Sequence, residues 1–172
     1  MDIKVLSTEV SSLIAAGEVI ESPSSVVKEL IENSIDAGSS RIIINTTEGG
    51  IRALSVSDDG RGIPSDQVSI AFKRYATSKV SVVGDLDRIN TLGFRGEALF
   101  SIAAVSNVKV TTKFTGDDFG TEAEIRDGNN IRPSPIGGPT GTTIKVEDLF
   151  SNFPARRKFL RSAVAEKGRV HK

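Results

Sequence analysis

The stretch KELIENSIDAG, residues 28–38, places Glu29, Asn33 and Asp36 at spacing i, i+4, i+7. At about 100° per residue on a helix, the three fall within an arc of roughly 60°. A carboxylate, an amide oxygen and a second carboxylate on one line can address a single ligand lying along the helix. An ordinary hydrated flank is the other reading of the same residues. Lys28 and Glu32 project further round, toward solvent.

Two more stretches offer chemistry. In SVSDDGRGIP, Asp58 and Asp59 close a strand-like run, and Gly60 and Gly62 follow, so the backbone can turn sharply and let a ligand approach. A buried acceptor at a strand end can take a hydrogen bond from a ring amino group and so orient a purine. A plain Asp-Gly turn is the alternative. In TLGFRGEALFSIAAVS, Gly93 and Gly96 precede a helix expected to begin near Glu97, and free N–H groups at a helix start suit a phosphate. No G-x-x-x-x-G-K-[ST] occurs, and no G-x-G-x-x-G follows a strand. A nucleotide would therefore bind by another arrangement.

Composition narrows the chemistry further. The chain has no cysteine and one histidine, His171, which leaves no zinc cluster, no Cys/His dyad and no Ser/His/Asp triad. Catalysis would run on carboxylates, amides and bound cofactor. With 172 residues, 38% of them apolar, and no apolar run of membrane-spanning length, one soluble domain with a proper core is expected. The N-terminus lacks the marks of a signal peptide, and a cytoplasmic setting fits best. Twenty-two basic residues balance twenty-two acidic ones, yet residues 152–172 hold seven Lys or Arg against one Glu. That basic tail reads as a solvated helix face or as a surface for DNA phosphates.

These residues need elements to hold them. Apolar spacing within residues 1–20, interrupted by Gly17, predicts a short helix and then a bend. A better-marked helix has Ser22 as N-cap, Pro23 at its first position, an apolar face of Val26, Val27, Leu30, Ile31 and Ile35, and Gly38 as terminator. Strand-like runs over 41–46 and 51–57 flank a Glu48-Gly49-Gly50 turn, a hairpin pattern. Further strands are expected in NVKVTTKF, GTEAEIR and GTTIKVED, and helices in SDQVSIAF and GEALFSIAAV. The segment 77–96 has weak periodicity. Hairpins rather than strict alternation point to an α+β fold, a two-layer sandwich with helices on one face of a mostly antiparallel or mixed sheet.

Taken in order, the motifs resemble the GHKL ATPases, the group of gyrase, chaperone, histidine kinase and MutL, and most closely its MutL-like mismatch repair branch. The generic part is E-x-x-x-N (Glu29, Asn33), D-x-G-x-G (Asp58, Gly60, Gly62) and a late G-T (Gly141, Thr142, Thr143). The MutL-like part comprises IAAGEVIESPSSVVKELIENSIDAG, YATSK, LGFRGEAL and DLFSNFPARRKFLR, and the resemblance spans essentially the whole chain. Asn152-Phe153-Pro154 has Phe where many bacterial relatives have Thr.

The resemblance implies a Bergerat-type ATP-binding fold and a magnesium-dependent ATPase. Glu29 is implied as the general base, Asn33 as the magnesium ligand, and Asp58 as the adenine-recognising acid, assisted by Thr143. Gly62 would let the base lie flat, with Ile63 beside it. Asp36 and Ala37 would line the nucleotide, Thr77, Ser78 and Lys79 form the hinge of a lid, and Leu92, Gly93, Phe94, Arg95, Gly96, Glu97, Ala98 and Leu99 wrap the phosphates.

It implies an organisation as well: an N-terminal arm over 1–20, the ATP-binding domain over 21–155, and from 156 to 172 the start of a linker to a second, absent domain. That domain would supply a lysine to the γ-phosphate and most of the DNA-binding surface, so turnover by this chain alone would be slow. The implied protein is an ATP-gated clamp that pairs with itself and works with a MutS-type mismatch-recognition protein and DNA, without a membrane. It would be cytoplasmic in a bacterium or archaeon and nuclear in a eukaryote. A nucleotide-gated binding module with negligible hydrolysis, or a topoisomerase-type GHKL ATPase, is the alternative.

Overall fold

The computed structural model describes residues 3–78, 91–93, 96–126 and 131–172. Among the described residues, six strands form one sheet: β1 (Ile42–Thr47), β2 (Ala53–Asp58), β3 (Asn107–Lys113), β4 (Gly120–Ile125), β5 (Ser134–Ile136) and β6 (Gly141–Glu147). Their spatial order is β1-β2-β6-β3-β4-β5, and every pairing is antiparallel. Six α-helices accompany them among the same residues: α1 (Thr8–Val19), α2 (Pro23–Asp36), α3 (Val68–Ala71), α4 (Ala98–Ala104), α5 (Pro154–Phe159) and α6 (Ala163–Val170). The expected α+β class and antiparallel sheet are therefore observed. β5 had no expectation attached to it, because a three-residue edge strand with proline at its centre carries no alternating pattern.

Strand registers explain the core. Leu54, Val146, Val108 and Ile125 lie side by side across β2, β6, β3 and β4, and Val56, Ile144, Val110 and Ala123 form the next row. All eight are buried on the face covered by α2 and α4. One residue along each strand, the side chains reverse to polar: Ser55, Lys145, Lys109 and Glu124 in one row, Ser57, Thr143, Thr111 and Glu122 in another. Lys109 pairs with Glu122 at 2.9 Å on that open face.

The helix α2 begins and ends as its sequence signals indicate. The hydroxyl of Ser22 accepts from the Ser25 amide, with Pro23 in the first turn. At the far end Gly38, at φ 76°, lets its own amide reach the Ile35 carbonyl and the Ser39 amide reach that of Ser34, a Schellman closure. Val26, Val27 and Leu30 are buried and Ile31 packs at the core edge. Ile35 departs from the expected apolar face: it is 50% exposed, and in the last turn of α2 it is Ser34 that turns inward, onto Asp58.

Helices near both ends of the chain, α1 and α6, pack on this body. α1 continues through Gly17 to Val19 rather than bending there; it packs on α4, and the Arg156 guanidinium donates to the Gly17 carbonyl. Ala16 and Ile20 are buried. The basic tail is docked through an acid: α6 packs on α2 and on the turn 48–50, and the fully buried Glu166 carboxylate accepts from the Arg161 amide and from Arg169. Gly49, at φ 67°, lies against the Ala163 carbonyl and the Lys167 amide, so a Cβ there would occupy their space. Gly49→Ala is expected to cost about 2–4 kcal/mol through left-handed strain and overpacking. Hydrogen exchange should rise across 163–170. An unchanged denaturation midpoint would contradict the docking.

Candidate functional site

The site is built where the last turns of α2 meet the exit of β2. Backbone alternation sends the two consecutive acids of that exit opposite ways. Asp58, half-buried, faces α2; Asp59 is exposed. The Asp58 Oδ2 accepts from the buried Ser34 hydroxyl at 2.8 Å, while Oδ1 accepts from the Gly60 amide at 2.9 Å and the Thr142 amide at 3.3 Å. Three donors from three elements thus orient one carboxylate. Such bonds to an ionised group are the strong ones, about 1.5–3 kcal/mol each.

Asp59 does different work. Its Oδ1 accepts from the Ser40 and Arg41 amides at 2.8 Å each, and its Oδ2 from the Ser40 hydroxyl at 2.6 Å, which ties the loop after α2 to β2. The Ser40 hydroxyl and the Arg41 amide lower its pKa to about 2. Nearby the Arg61 amide donates to the Ala37 carbonyl, and Gly62, at φ 75°, packs on the Lys113 carbonyl with no room for a side chain. The turn then leads to Ile63, whose side chain packs at the core and whose amide donates to Thr112.

The expected residues divide into three groups. Glu29, Asn33 and Asp36 lie half-buried along α2, with Ala37 as its C-cap, Asp58 beside its end, and Gly62 and Ile63 on the adjoining turn. Asp36 also reaches the second expected segment, accepting from the Leu92 amide at 3.1 Å and the Gly93 amide at 3.3 Å. Thr77 and Ser78 are exposed, and Gly96 packs against the carbonyl of Ala76, so 75–76 and 96 are neighbours. Ala98 opens α4 and Leu99 packs inward on the core. The Glu97 carboxylate pairs with Arg74, Oε1 to Nε 3.2 Å, and that guanidinium lies 4.7 Å from the Tyr75 ring centroid. An acid at this position repels phosphate, so only the Glu97 backbone suits the expected role. Lys79, Phe94 and Arg95 lie outside the described residues.

Thr143 is not brought to the site. It pairs with Ser57 and gives its hydroxyl to that side chain at 3.0 Å on the open face of the sheet, away from Asp58. Thr142 is the residue opposite Asp58, because neighbouring strand residues alternate faces. Two more residues escaped expectation. Ser34 sits in the apolar stripe of α2 and Thr112 in the buried row of β3, where a small hydroxyl side chain reads as packing until its partners are known. Thr142 carried a signal in the G-T pair itself.

Among the described residues, no group of three His, Cys, Asp or Glu could hold a metal, and no helix is long and apolar enough to cross a membrane. A single amide oxygen from Asn33 fits a magnesium ion that keeps its waters and takes its other ligands from phosphates.

Because Asp59 titrates lower folded than unfolded, its contribution to stability is complete above about pH 4 and is lost as the pH falls from the ordinary 3.8 toward about 2. Asp59→Asn is expected to flatten the acid side of the stability profile, read from denaturant midpoints at neutral pH and near pH 3. Equal acid sensitivity in both proteins would remove Asp59 from this role.

Comparison with known proteins adds context to the geometry. Residues 20–132 match the family model described as histidine kinase-, DNA gyrase B-, and HSP90-like ATPase. The DNA mismatch repair protein MutL of Thermodesulfovibrio yellowstonii is 52% identical over 168 residues, 98% of this chain and 31% of that protein. MutL of Pelotomaculum thermopropionicum is 53% identical over 96% of this chain and 27% of its own. Among solved structures, the Aquifex aeolicus MutL ATPase domain complexed with ADP superposes with a TM-score of 0.67 at 35% identity, covering 89% of this chain and 53% of that one. The chain spans less than a third of the length of these two sequence relatives.

Proposed function

For a chain that belongs to the family of histidine kinase-, DNA gyrase B- and HSP90-like ATPases, we propose magnesium-dependent ATP binding and hydrolysis as the nucleotide domain of a MutL-like mismatch repair protein. The observation that carries this reading is the Asp58 carboxylate, held by Ser34, Gly60 and Thr142 beside the polar edge of α2. Its donors leave acceptor capacity on Oδ2, which suits the exocyclic amino group of adenine.

From that anchor the nucleotide extends along α2. Asp36 and Ala37 line its path, Asn33 offers the metal an amide oxygen, and Glu29 stands one turn before Asn33 on the same edge. Glu29 takes a proton from water as the water oxygen bonds to the γ-phosphorus and the bond from that phosphorus to the bridging oxygen of ADP breaks. Magnesium, when bound, offsets negative charge on the phosphates. Backbone N–H groups of the segment from Gly93 to Leu99 serve the phosphate oxygens, and Thr77 and Ser78 flank them.

In the longer protein, nucleotide binding would order the lid and the N-terminal arm and promote pairing of two such domains, so that ATP gates a clamp. A mismatch-recognition protein of the MutS type and DNA are its partners, in the cytoplasm or, in a eukaryote, the nucleus.

A non-hydrolysable ATP analogue with magnesium, titrated into wild type, Asp58→Ala and Glu29→Ala, tests the reading. Wild type binds; Asp58→Ala weakens binding at least about tenfold, as loss of a hydrogen bond to a charged group requires. Glu29→Ala keeps affinity and loses single-turnover hydrolysis. Equal binding by all three, or none by wild type, would sink the assignment.

A further inference from the structure

The Thr112 hydroxyl, 2% exposed on β3, lies beneath the site and joins two of its segments, the turn after β2 and the start of β6. The Ile63 amide donates to its oxygen at 2.9 Å, the Gly141 carbonyl accepts from it at 3.0 Å, and the Thr142 hydroxyl lies 2.9 Å away. A hydroxyl has one proton and two lone pairs. One lone pair is taken by Ile63, whose N–H can only donate. Gly141 can only accept, so satisfying it uses the single proton. What remains on Thr112 is one lone pair, and the Thr142 hydroxyl fills it by donating.

This arrangement satisfies all three contacts at once. Turning the Thr112 proton to Thr142 instead would break its bond to the Gly141 carbonyl. The consequence falls on Thr142. With its proton committed to Thr112, the Thr142 hydroxyl has only lone pairs left for a ligand, directly opposite Asp58 in the strand register and on the same face. Asp58 is itself acceptor-only when ionised. The rim therefore shows two acceptors together, one charged and one neutral.

We propose that Thr112 is a positioning residue for base selectivity: by holding the Thr142 proton, it makes this rim accept an amino group and refuse a carbonyl. The matching ligand class is a 6-aminopurine nucleotide, whose amino group has two N–H bonds to give. A 6-oxopurine nucleotide puts an acceptor against both. This rests on the nucleotide reading above and deepens it, since Asp58 alone selects for the amino group while Thr112 acts only through Thr142.

The test compares affinities of this chain for non-hydrolysable ATP and ITP analogues, with magnesium, in wild type, Thr112→Val, Thr112→Ser and Thr142→Val. Wild type prefers the 6-amino ligand. Thr112→Val frees the Thr142 proton to turn toward a 6-oxo group, and the preference is expected to narrow about fivefold, the worth of one neutral hydrogen bond. Thr112→Ser keeps the hydroxyl and restores the wild-type ratio. A purely structural role would weaken both ligands equally, so an unchanged ratio in Thr112→Val overturns the proposal. Should that variant fail to fold, Thr142→Val removes the same acceptor and must narrow the ratio as well; an unchanged ratio there overturns it equally. If wild type binds neither analogue, the nucleotide reading falls and this inference with it, whereas Asp58-dependent binding with ratios unmoved refutes Thr112 alone.

Discussion

A half-buried carboxylate at the end of a central strand is the constraint around which the rest is arranged. Asp58 leaves bulk water on folding, and a charge in that position is tolerated only with donors aimed at it. Ser34 from α2, Gly60 from the following turn and Thr142 from β6 provide them. Each donor fixes a geometric relation: helix to strand, turn to strand, and strand to strand. Asp59 adds the outer half of the same joint by fastening the loop at 40–41. The end of α2 is thus held from both sides, and the line of Glu29, Asn33 and Asp36 inherits its position from that joint.

Where the sequence was legible, the physical signal was local. Capping by Ser22 and Pro23, termination at Gly38 and the hairpin around Glu48-Gly49-Gly50 all rest on backbone preferences that neighbours a few residues away decide. The α2 polar line was legible for the same reason, since three residues on one helix share a face whatever the tertiary structure. The place of Asp58 at a strand end was legible from the glycines that follow it.

The misreadings all needed a partner element. Thr143 differs from Thr142 by one residue, and that step moves a side chain through the sheet; only the pairing of Asp58 with Thr142 decides which threonine meets the site. Ser34 and Thr112 occupy positions where the pattern asks for apolar side chains, and their hydroxyls acquire meaning from Asp58, Ile63 and Gly141, residues 24 to 49 positions distant. Glu166 stands alone among seven cations, which reads as a solvated basic face, yet it is the residue that α6 buries. Ile35 was misplaced because periodicity specifies a face but not which residue at its margin the core takes, here Ser34.

The site also divides by rigidity, and the division follows from how each half is held. The half around Asp58, proposed to face the base, is made of strand ends and a capped helix, with its carboxylate bonded to Ser34, Gly60 and Thr142. The half proposed to face the phosphates consists mostly of connections, 76–78, 92–93 and 96–97 ahead of α4, with Arg74 paired to Glu97 and Asp36 to two backbone amides. Those latter bonds exchange with solvent or ligand at little cost, because none is buried beneath packed side chains. On the proposed reading, the strength of any conformational coupling is limited to the difference in contacts that the phosphates make in the two arrangements.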